Sequence, residues 1–592
     1  MAVENFQAPG IVVRELRAGV PQVRGVPTSI GAFVITSLRG PVAKATRVDS
    51  FAKAQRIFGN YDPNSYWAES TDAFFKNGGS GLYLVRIQPS GGGGSNVLAT
   101  VTIDDAGAVN AATFDSIGPG SDYNSIKILV SSEDTRIGLT AAAIATTIPA
   151  APISEVDLTA ATAALVTVGD TLNIVDSVTP ANNLRFVVAQ KVGNKVLLED
   201  TQTIAFSITT ALAYCDLETW TVSDLDEGRT VQGPYAGLRS SPLSQKNYFV
   251  NRLNTGDDEL VTTVTDLASP VGATGLDNRP VNADVGGDLL TLGELKTVYA
   301  DLDYIGNSST VDGLYALDTK NDVRLIAIPG VTGTTQGAVS VGLIDYCSAR
   351  ADCVGIMTTP SGTSVANAVI HKSQFLGSSS YGIIVYPWVE ILLPLTSQKG
   401  LMPPEGYVMG MVARTDRDRN VAKAPAGELV GRLLGTLGVE TDLTDDERAQ
   451  LYPVNIDPLQ DIEGVGVSVM GSRTMESGEF NQINVRRTFI YLRESIREGT
   501  RFVLFEPNDA PTRAKARRVV GSFLKTEWER GNLEGDTIDE AFFVTCDKSN
   551  NPENIINEGK MFISIGVNIP RTTEFLVIEI EQDQRGLEAA LA

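Results

Sequence analysis

Residues 484–547 read NVRRTFIYLRESIREGTRFVLFEPNDAPTRAKARRVVGSFLKTEWERGNLEGDTIDEAFFVTCD, and they say more about the fold than any other part of the chain. Between Thr512 and Arg530 the apolar residues Ala516, Val519, Val520, Phe523, Leu524 and Trp528 recur at helical spacing. Lys515, Arg518, Ser522, Lys525 and Glu529 repeat every three or four positions on the other side. This pattern predicts an amphipathic helix with one buried and one basic face. From Asn484 to Arg530 eleven Lys or Arg stand against six Asp or Glu, a local balance of +5. A solvated basic surface and a docking face for an acidic partner both fit such a pattern.

That local excess runs against the rest of the molecule. The 592 residues hold 48 Lys and Arg against 71 Asp and Glu, a net charge of −23. A field of that sign repels nucleic acid and anionic membrane, so neither is expected as a direct partner. Copies of the chain also repel one another, so self-association must rest on strong short-range contacts. Hydrophobic residues make up 43% and charged residues 20%, a globular composition. The length suggests about four domains. The 56 glycines imply many turns and favour a β-rich or mixed chain. The N-terminus lacks the apolar core of a signal peptide, and the most apolar run, 381–395, is interrupted by Pro387, Glu390 and Pro394. A soluble protein made in the cytoplasm is expected.

The predicted fold class is a multidomain α/β and α+β chain: a layered α/β core with inserted β-rich domains and an α+β C-terminal domain, ending in strand-like arms. Residues 1–20 form an N-terminal arm whose strand, Ile11, Val12, Val13, Arg14, Glu15 and Leu16, has no partner nearby in sequence. It pairs either within its own subunit or with a neighbour. Residues 21–95 are the first core segment, with strands at 31–36 and 82–87 and helices at 50–58 and 67–75. The glycine-rich 89–95 reads as a flexible linker. A β-rich domain is expected at 96–149 and 213–245, interrupted at 150–212 by a small barrel or sandwich with a hairpin turn at Gly193-Asn194. Residues 246–400 resume the core: alternating strands and helices from 323 to 386 imply right-handed crossovers and a parallel sheet. Residues 401–581 form the C-terminal domain, closed by a strand at 574–581 with Leu576, Ile578 and Ile580 on one face. Residues 582–592 are a C-terminal arm.

Catalytic chemistry finds little support. The single histidine, His371, sits on a predicted helix beside Ile370, Lys372 and Phe375, with no nucleophile motif elsewhere, and reads as structural. Cys215, Cys347, Cys353 and Cys546 lack metal-ligand spacing and read as buried thiols. No phosphate-cradling G-x-x-x-x-G-K-[ST] occurs, and the Gly286-Gly287-Asp288 turn has no lysine after it. No catalytic residue, cofactor site or metal site is assigned, and no cofactor is expected.

The order and spacing of several short pieces carry a resemblance. They are Asn484-Val485-Arg486-Arg487, Phe505-Glu506-Pro507-Asn508, and Gly531-Asn532-Leu533-Glu534-Gly535 running into Glu540-Ala541-Phe542. Upstream stand Thr28-Ser29, Arg39-Gly40-Pro41, Phe58-Gly59, the segment 74–79, Ile328-Pro329-Gly330, Tyr386-Pro387-Trp388, Ala413-Arg414-Thr415-Asp416 and Lys423-Ala424-Pro425-Ala426. Together the chain resembles the contractile tail sheath proteins. It departs from them at Asp122-Tyr123-Asn124, where the family has Trp-Gly-Asn, and at Asn420-Val421-Ala422, where it has Gly-Val-Trp. The resemblance implies a structural subunit, not an enzyme, that forms stacked rings or a helical sheath around a tail tube and contracts to drive the tube through a cell envelope. It implies partners in the tube, baseplate and tail terminator proteins, a location in a virion tail or injection particle, and assembly in the host cytoplasm. It makes the 401–581 domain tube-facing and Lys515, Arg518 and Lys525 the tube contact, with the strand arms as inter-subunit linkers. A passive surface lattice or adhesin, and a particle-associated hydrolase, are the alternatives.

Overall fold

The computed structural model describes residues 23–574 except for 332–334, 376–378 and several turns and loops between 105 and 297. The expected arm at residues 11–16 and the positions Leu576, Ile578 and Ile580 lie outside the described residues. The central layer is an eight-stranded sheet. Its parts, in chain order, are β1 (Gly31–Ile35), β2 (Thr46–Val48), helices α1 (Phe51–Phe58) and α2 (Trp67–Lys76), and β3 (Leu82–Arg86). After a long excursion come β4 (Leu325–Ala327), α3 (Thr335–Arg350), β5 (Val354–Thr358), α4 (Val365–Ser373), β6 (Gly382–Tyr386), α5 (Glu405–Asp418), β7 (Asp457–Ile462) and β8 (Gly466–Val469). Strand order is β2-β3-β1-β4-β5-β6-β7-β8, with β3 through β7 parallel and both edge strands antiparallel. The chain leaves β1 first toward one edge and later toward the other, so the topological switch lies between β1 and β4.

The continuous apolar runs predicted as two-faced strands are buried on both sides. Phe33, Ile35, Leu82, Leu84, Ile356 and Val385 point to α1, α2 and α5. Ala32, Val34, Val85, Ile326, Met357 and Ile384 point to α3 and α4. The helix ends follow local chemistry. Ser50 Oγ accepts the Lys53 N–H at 3.4 Å to open α1, and Gly59 closes it at φ +97°. Helices α2 and α5 approach closely because Gly406 and Gly410 carry no Cβ: an added one would lie 2.4 Å from the Ser70 carbonyl oxygen and 2.5 Å from that of Phe74. The sheet layer reaches residue 469, past the position 401 at which the C-terminal domain was expected to begin.

The β-rich excursion also differs from its expected limits. A three-stranded sheet (Val261–Asp266, Asn110–Pro119, Leu98–Asp104) packs on a four-stranded one (Arg229–Leu238, Trp220–Asp226, Ile126–Ser132, Asp288–Leu289) around Phe114, Tyr123, Ile128 and Phe249. The domain therefore continues past 245 to about the Val298 crossing. The glycine-rich linker is pinned there: Gly91 and Val298 exchange backbone hydrogen bonds at 3.0 and 3.1 Å, and Asp303 accepts the Ser90 N–H at 3.0 Å. Its glycines serve left-handed turns at Gly92 and Gly94, φ +87° and +86°.

The inserted unit is a six-stranded, wholly antiparallel sheet in place of the expected barrel or sandwich, in the order Thr135–Gly138, Ala213–Leu217, Thr171–Asp176, Leu184–Val192, Lys195–Gln202, Ile153–Asp157. Gly193-Asn194 makes the predicted hairpin turn. Its first and last strands pair with each other, so the unit runs from 135 to 217 and a cut at 150–212 would strand both. Ser132 and Trp220, which flank it, are themselves directly paired. Replacing residues 133–219 by Asn-Gly should close that pair as a two-residue hairpin and leave the remaining chain folded, its main thermal transition shifted by no more than a few degrees. Loss of soluble protein would show that the unit belongs to the main core.

The C-terminal unit packs α6 (Ile483–Gly499) and α7 (Ala510–Glu529) with the hairpin β9 (Phe542–Thr545) and β10 (Ser564–Val567). Tyr491, Leu492, Val520, Phe523, Leu524 and Leu533 form its core, joined by Val26 and Val421 from distant parts of the chain.

Candidate functional site

Three of the short sequence pieces that carried the resemblance, those at Thr28, Asp416 and Asn484–Arg487, meet where the C-terminal unit joins the sheet layer. Arg487 of α6 forms a bidentate pair with Asp416 of α5 at 2.8 and 2.5 Å and also donates to the Thr28 carbonyl at 3.0 Å. Both side chains are about 95% buried, exposed by only 4% and 5%. Asn484 Nδ2 donates to the carbonyls of Ala422 at 2.9 Å and Pro570 at 3.0 Å. Arg486 stacks on Phe480 and Tyr381, its guanidinium carbon 3.6 and 4.5 Å from the ring centres. Arg473 pairs with Glu574, which also accepts from Gln482 at 3.2 Å and is so fastened to the start of α6. The Gly531–Glu534 piece is a helix stop: Asn532 donates to the buried Glu527 carboxylate at 2.6 Å while Leu533 enters the core. Val421, where the family's aromatic-containing triplet is missing, fills that same core.

Helix α7 starts on Asp509, whose side chain accepts the Thr512 N–H at 2.8 Å. Ala516, Val519, Val520, Phe523 and Leu524 are buried as expected, and Trp528 is half-buried with its indole N–H on the Gly535 carbonyl at 2.9 Å. The three predicted contact residues share one helix but stand in different settings. Lys515 lies 4.7 Å above the Phe502 ring, and exposed Lys525 is 3.8 Å from Glu529. Arg518 is exposed and lines an open cleft of about 570 Å³ with Arg24, Ser522, Phe523 and Arg530. Phe505, which opens the second sequence piece, projects fully into solvent next to this helix's entry at φ +67°, with the neighbouring Leu504 66% exposed. Sequence periodicity could not reveal that exposure.

Three buried carboxylates in the sheet layer have raised pKa values. Burial pushes Glu405 to about 8 against hydrogen bonds from its own and the Thr358 backbone. Burial likewise pushes Asp457 to about 8, although it accepts the Arg473 N–H at 2.9 Å. Glu69 rises to about 7, by burial first and the nearby Asp62 and Asp72 charges after it. Each folded pKa lies above the unfolded one, so the folded state keeps a proton that the unfolded chain releases. Their contribution is fully present below the ordinary carboxylate range and is lost as pH rises toward 8. The melting temperature should therefore fall between about pH 5 and about pH 8.5. Glu405→Gln should raise it at the alkaline end and flatten the slope; an unchanged slope by calorimetry would remove Glu405 as a cause.

His371 is buried edge-on to Phe375 at 5.5 Å, and burial lowers its pKa. Asp288 of the glycine turn accepts the Ala283 and Asp284 N–H groups of its own loop at 3.1 and 3.0 Å. Cys347, Cys353 and Cys546 are buried free thiols. No metal-binding group of His, Cys, Asp or Glu occurs among the described residues.

The fold is similar to that of contractile sheaths. It aligns with the helical sheath of the anti-feeding prophage in its contracted state at a TM-score of 0.52 and 16% identity, over 98% of this chain and 100% of that one. The PVC sheath of an extracellular contractile injection system, also contracted, aligns at 0.51 and 15% identity, over 99% and 100%. In sequence, residues 303–475 match the phage tail sheath protein central domain and residues 476–583 the phage tail sheath C-terminal domain, in that order. The chain is 25% identical over 305 residues to the tail sheath protein of Vibrio phage KVP40, covering 46% of this chain and 44% of that protein. With the tail sheath protein of Enterobacteria phage T4 it shares 27% over 288 residues, 45% and 43% of the two chains. The matched stretch thus spans less than half the length of these curated relatives.

Proposed function

We propose that this chain is the repeating subunit of a contractile sheath that surrounds a tail tube and shortens to drive it through a target envelope. The observation that carries this reading is the pairing of the two sheath domains with a whole-chain alignment to contracted sheaths. The work comes from the free-energy difference between two lattices and needs no cofactor. Rigid-body rotation of subunits buries more surface in the shorter form, and the extended form persists as a kinetic trap. In this reading the C-terminal unit faces the tube with Lys515, Arg518 and Lys525, and the two chain ends add strands to neighbouring subunits. Baseplate and terminator proteins bound the two ends, the particle is a virion tail or an injection machine, and assembly takes place in the host cytoplasm.

Concentrated protein should form hollow cylinders visible in the electron microscope, and salt should promote them by screening a charge of −23 per copy. A subunit that stays monomeric by sedimentation across a range of salt would sink the proposal. Reversing Lys515, Arg518 and Lys525 together to Glu should abolish co-assembly with the tube protein and leave the fold intact. Tube binding unchanged in a pull-down would put the contact elsewhere.

A further inference from the structure

At the carboxyl ends of β1, β5 and β6 an open pocket of about 450 Å³ lies beneath the hairpin formed by Val389–Leu392 and Lys399–Met402. Most of its lining is apolar. Trp388 forms one wall, and its indole N–H is already given to the Thr359 carbonyl at 2.8 Å, so it offers only ring surface. Tyr66 meets it edge-on at 5.6 Å, and Leu395 overhangs the mouth, about half exposed. Two carboxylates interrupt this lining. Asp62 has one oxygen on the Asn64 N–H at 2.9 Å. Glu69 is only 8% exposed; its carboxylate takes a hydrogen bond from its own backbone N–H, but its Oε2 has no partner and no described cation neutralises it. No described basic side chain pairs with either carboxylate. A buried, unpaired carboxylate is costly to retain, and the same cost is removed when a cation docks beside it.

We propose that this pocket receives the side chain of a lysine or arginine from a second copy of the chain. Aromatic and leucine walls suit the aliphatic stem, ring faces and paired carboxylates suit the cationic head, and an anionic or purely apolar guest would leave Glu69 unsatisfied. The pocket and the cation that fills it are different places on the chain, and in the sheath reading this contact repeats head-to-tail, the kind that builds open polymers. It also offsets part of the repulsion between copies that each carry −23. Burial is what raises the Glu69 pKa, and an incoming cation reverses that effect. The choice of a second copy rests on the sheath reading above.

Two measurements separate the pocket from that reading. In the unassembled subunit labelled with 5-fluorotryptophan, n-butylammonium chloride, a lysine side chain without its backbone, should shift the Trp388 resonance saturably. Sodium chloride at equal ionic strength should not, and Glu69→Gln should weaken the effect about tenfold, the scale of one charge-assisted pair. The absence of a saturable shift in the wild type would overturn the cation pocket. In cylinders, a density map should show a basic side chain of the adjacent subunit between Glu69 and Trp388, and Glu69→Gln should raise the critical concentration about tenfold. Ordered cylinders with an empty or apolar-filled pocket would overturn the second copy as guest and leave the sheath reading standing. A wild type that never assembles would overturn both, while the titration still decides the chemistry of the pocket.

Discussion

Arg487→Met should loosen the joint between the C-terminal unit and the sheet layer by about 3–5 kcal/mol, the cost of removing one partner from a buried ion pair. The reason lies in what remains. Asp416 keeps its charge with 5% exposure and loses both guanidinium hydrogen bonds, and the Thr28 carbonyl loses its donor. Arg487→Lys should fall between, since an ammonium keeps the charge but cannot hold two carboxylate oxygens and a carbonyl at once. The double variant Arg487→Met, Asp416→Leu should recover most of the loss, because no orphaned charge is left. Hydrogen exchange along α6 reads this directly as the free energy of local opening, without treating a multidomain chain as two-state. If the single variant protects α6 amides as the wild type does, the pair is not what holds the units together. In the proposed sheath reading the joint must stay closed while copies rotate, so loss here should also lower cylinder yield.

How much of this was legible beforehand depended on whether the signal was local. The strands at 325–327, 354–358 and 382–386 stood out because burial on both faces demands unbroken apolar runs. Helix α7 was legible from its period alone. Strand β7 was not, because its sequence, DPLQDI, carries a proline and two aspartates and reads as loop. It is a strand because it pairs with β6 on one side and β8 on the other, with Asp457 buried on the Arg473 N–H 16 residues away. The limits of the inserted unit failed for the same reason: its closing pair joins Thr135–Gly138 to Ala213–Leu217 across the whole insertion. At the joint, the residues were visible as sequence pieces but their partnership was not, since Arg487 and Asp416 lie 71 positions apart. No periodicity connects them. The pocket around Glu69 and Trp388 was equally hidden, because its walls come from the start of α2 and the connection before it, the ends following β5 and β6, and the 389–402 hairpin.

Arg86 is the other position where a single change should have a large effect. It is fully buried at the end of β3 and has no carboxylate in contact among the described residues. Its guanidinium spreads over three carbonyls, those of Ser37 at 2.8 Å, Gly40 at 2.7 Å and Pro119 at 2.6 Å. The first two belong to the sheet layer and the third to the β-rich excursion, so one side chain ties the two together. The surroundings are built for it. A Cβ at Gly118 would lie 2.8 Å from Arg86 Nη1 and 2.5 Å from the Gly40 carbonyl oxygen. The Gly40 N–H in turn donates to the buried Tyr123 hydroxyl at 2.7 Å, which gives a role to the residue at the centre of the departing Asp122-Tyr123-Asn124 segment. Burial lowers the pKa of Arg86, yet a guanidinium stays charged in proteins, so the carbonyl dipoles must carry the whole of its solvation. Arg86→Lys should then cost about 3 kcal/mol or more, since a point-like ammonium on a flexible stem leaves one or two carbonyls unpaired at about 1–3 kcal/mol each. Gly118→Ala should fail in the same direction by pushing into the guanidinium, and combining it with Arg86→Lys should cost less than the sum, because both act on one contact. Thermal melting of the four proteins decides the matter. Additive shifts, or a lysine variant that melts with the wild type, would show that the carbonyl cluster does not depend on this arginine.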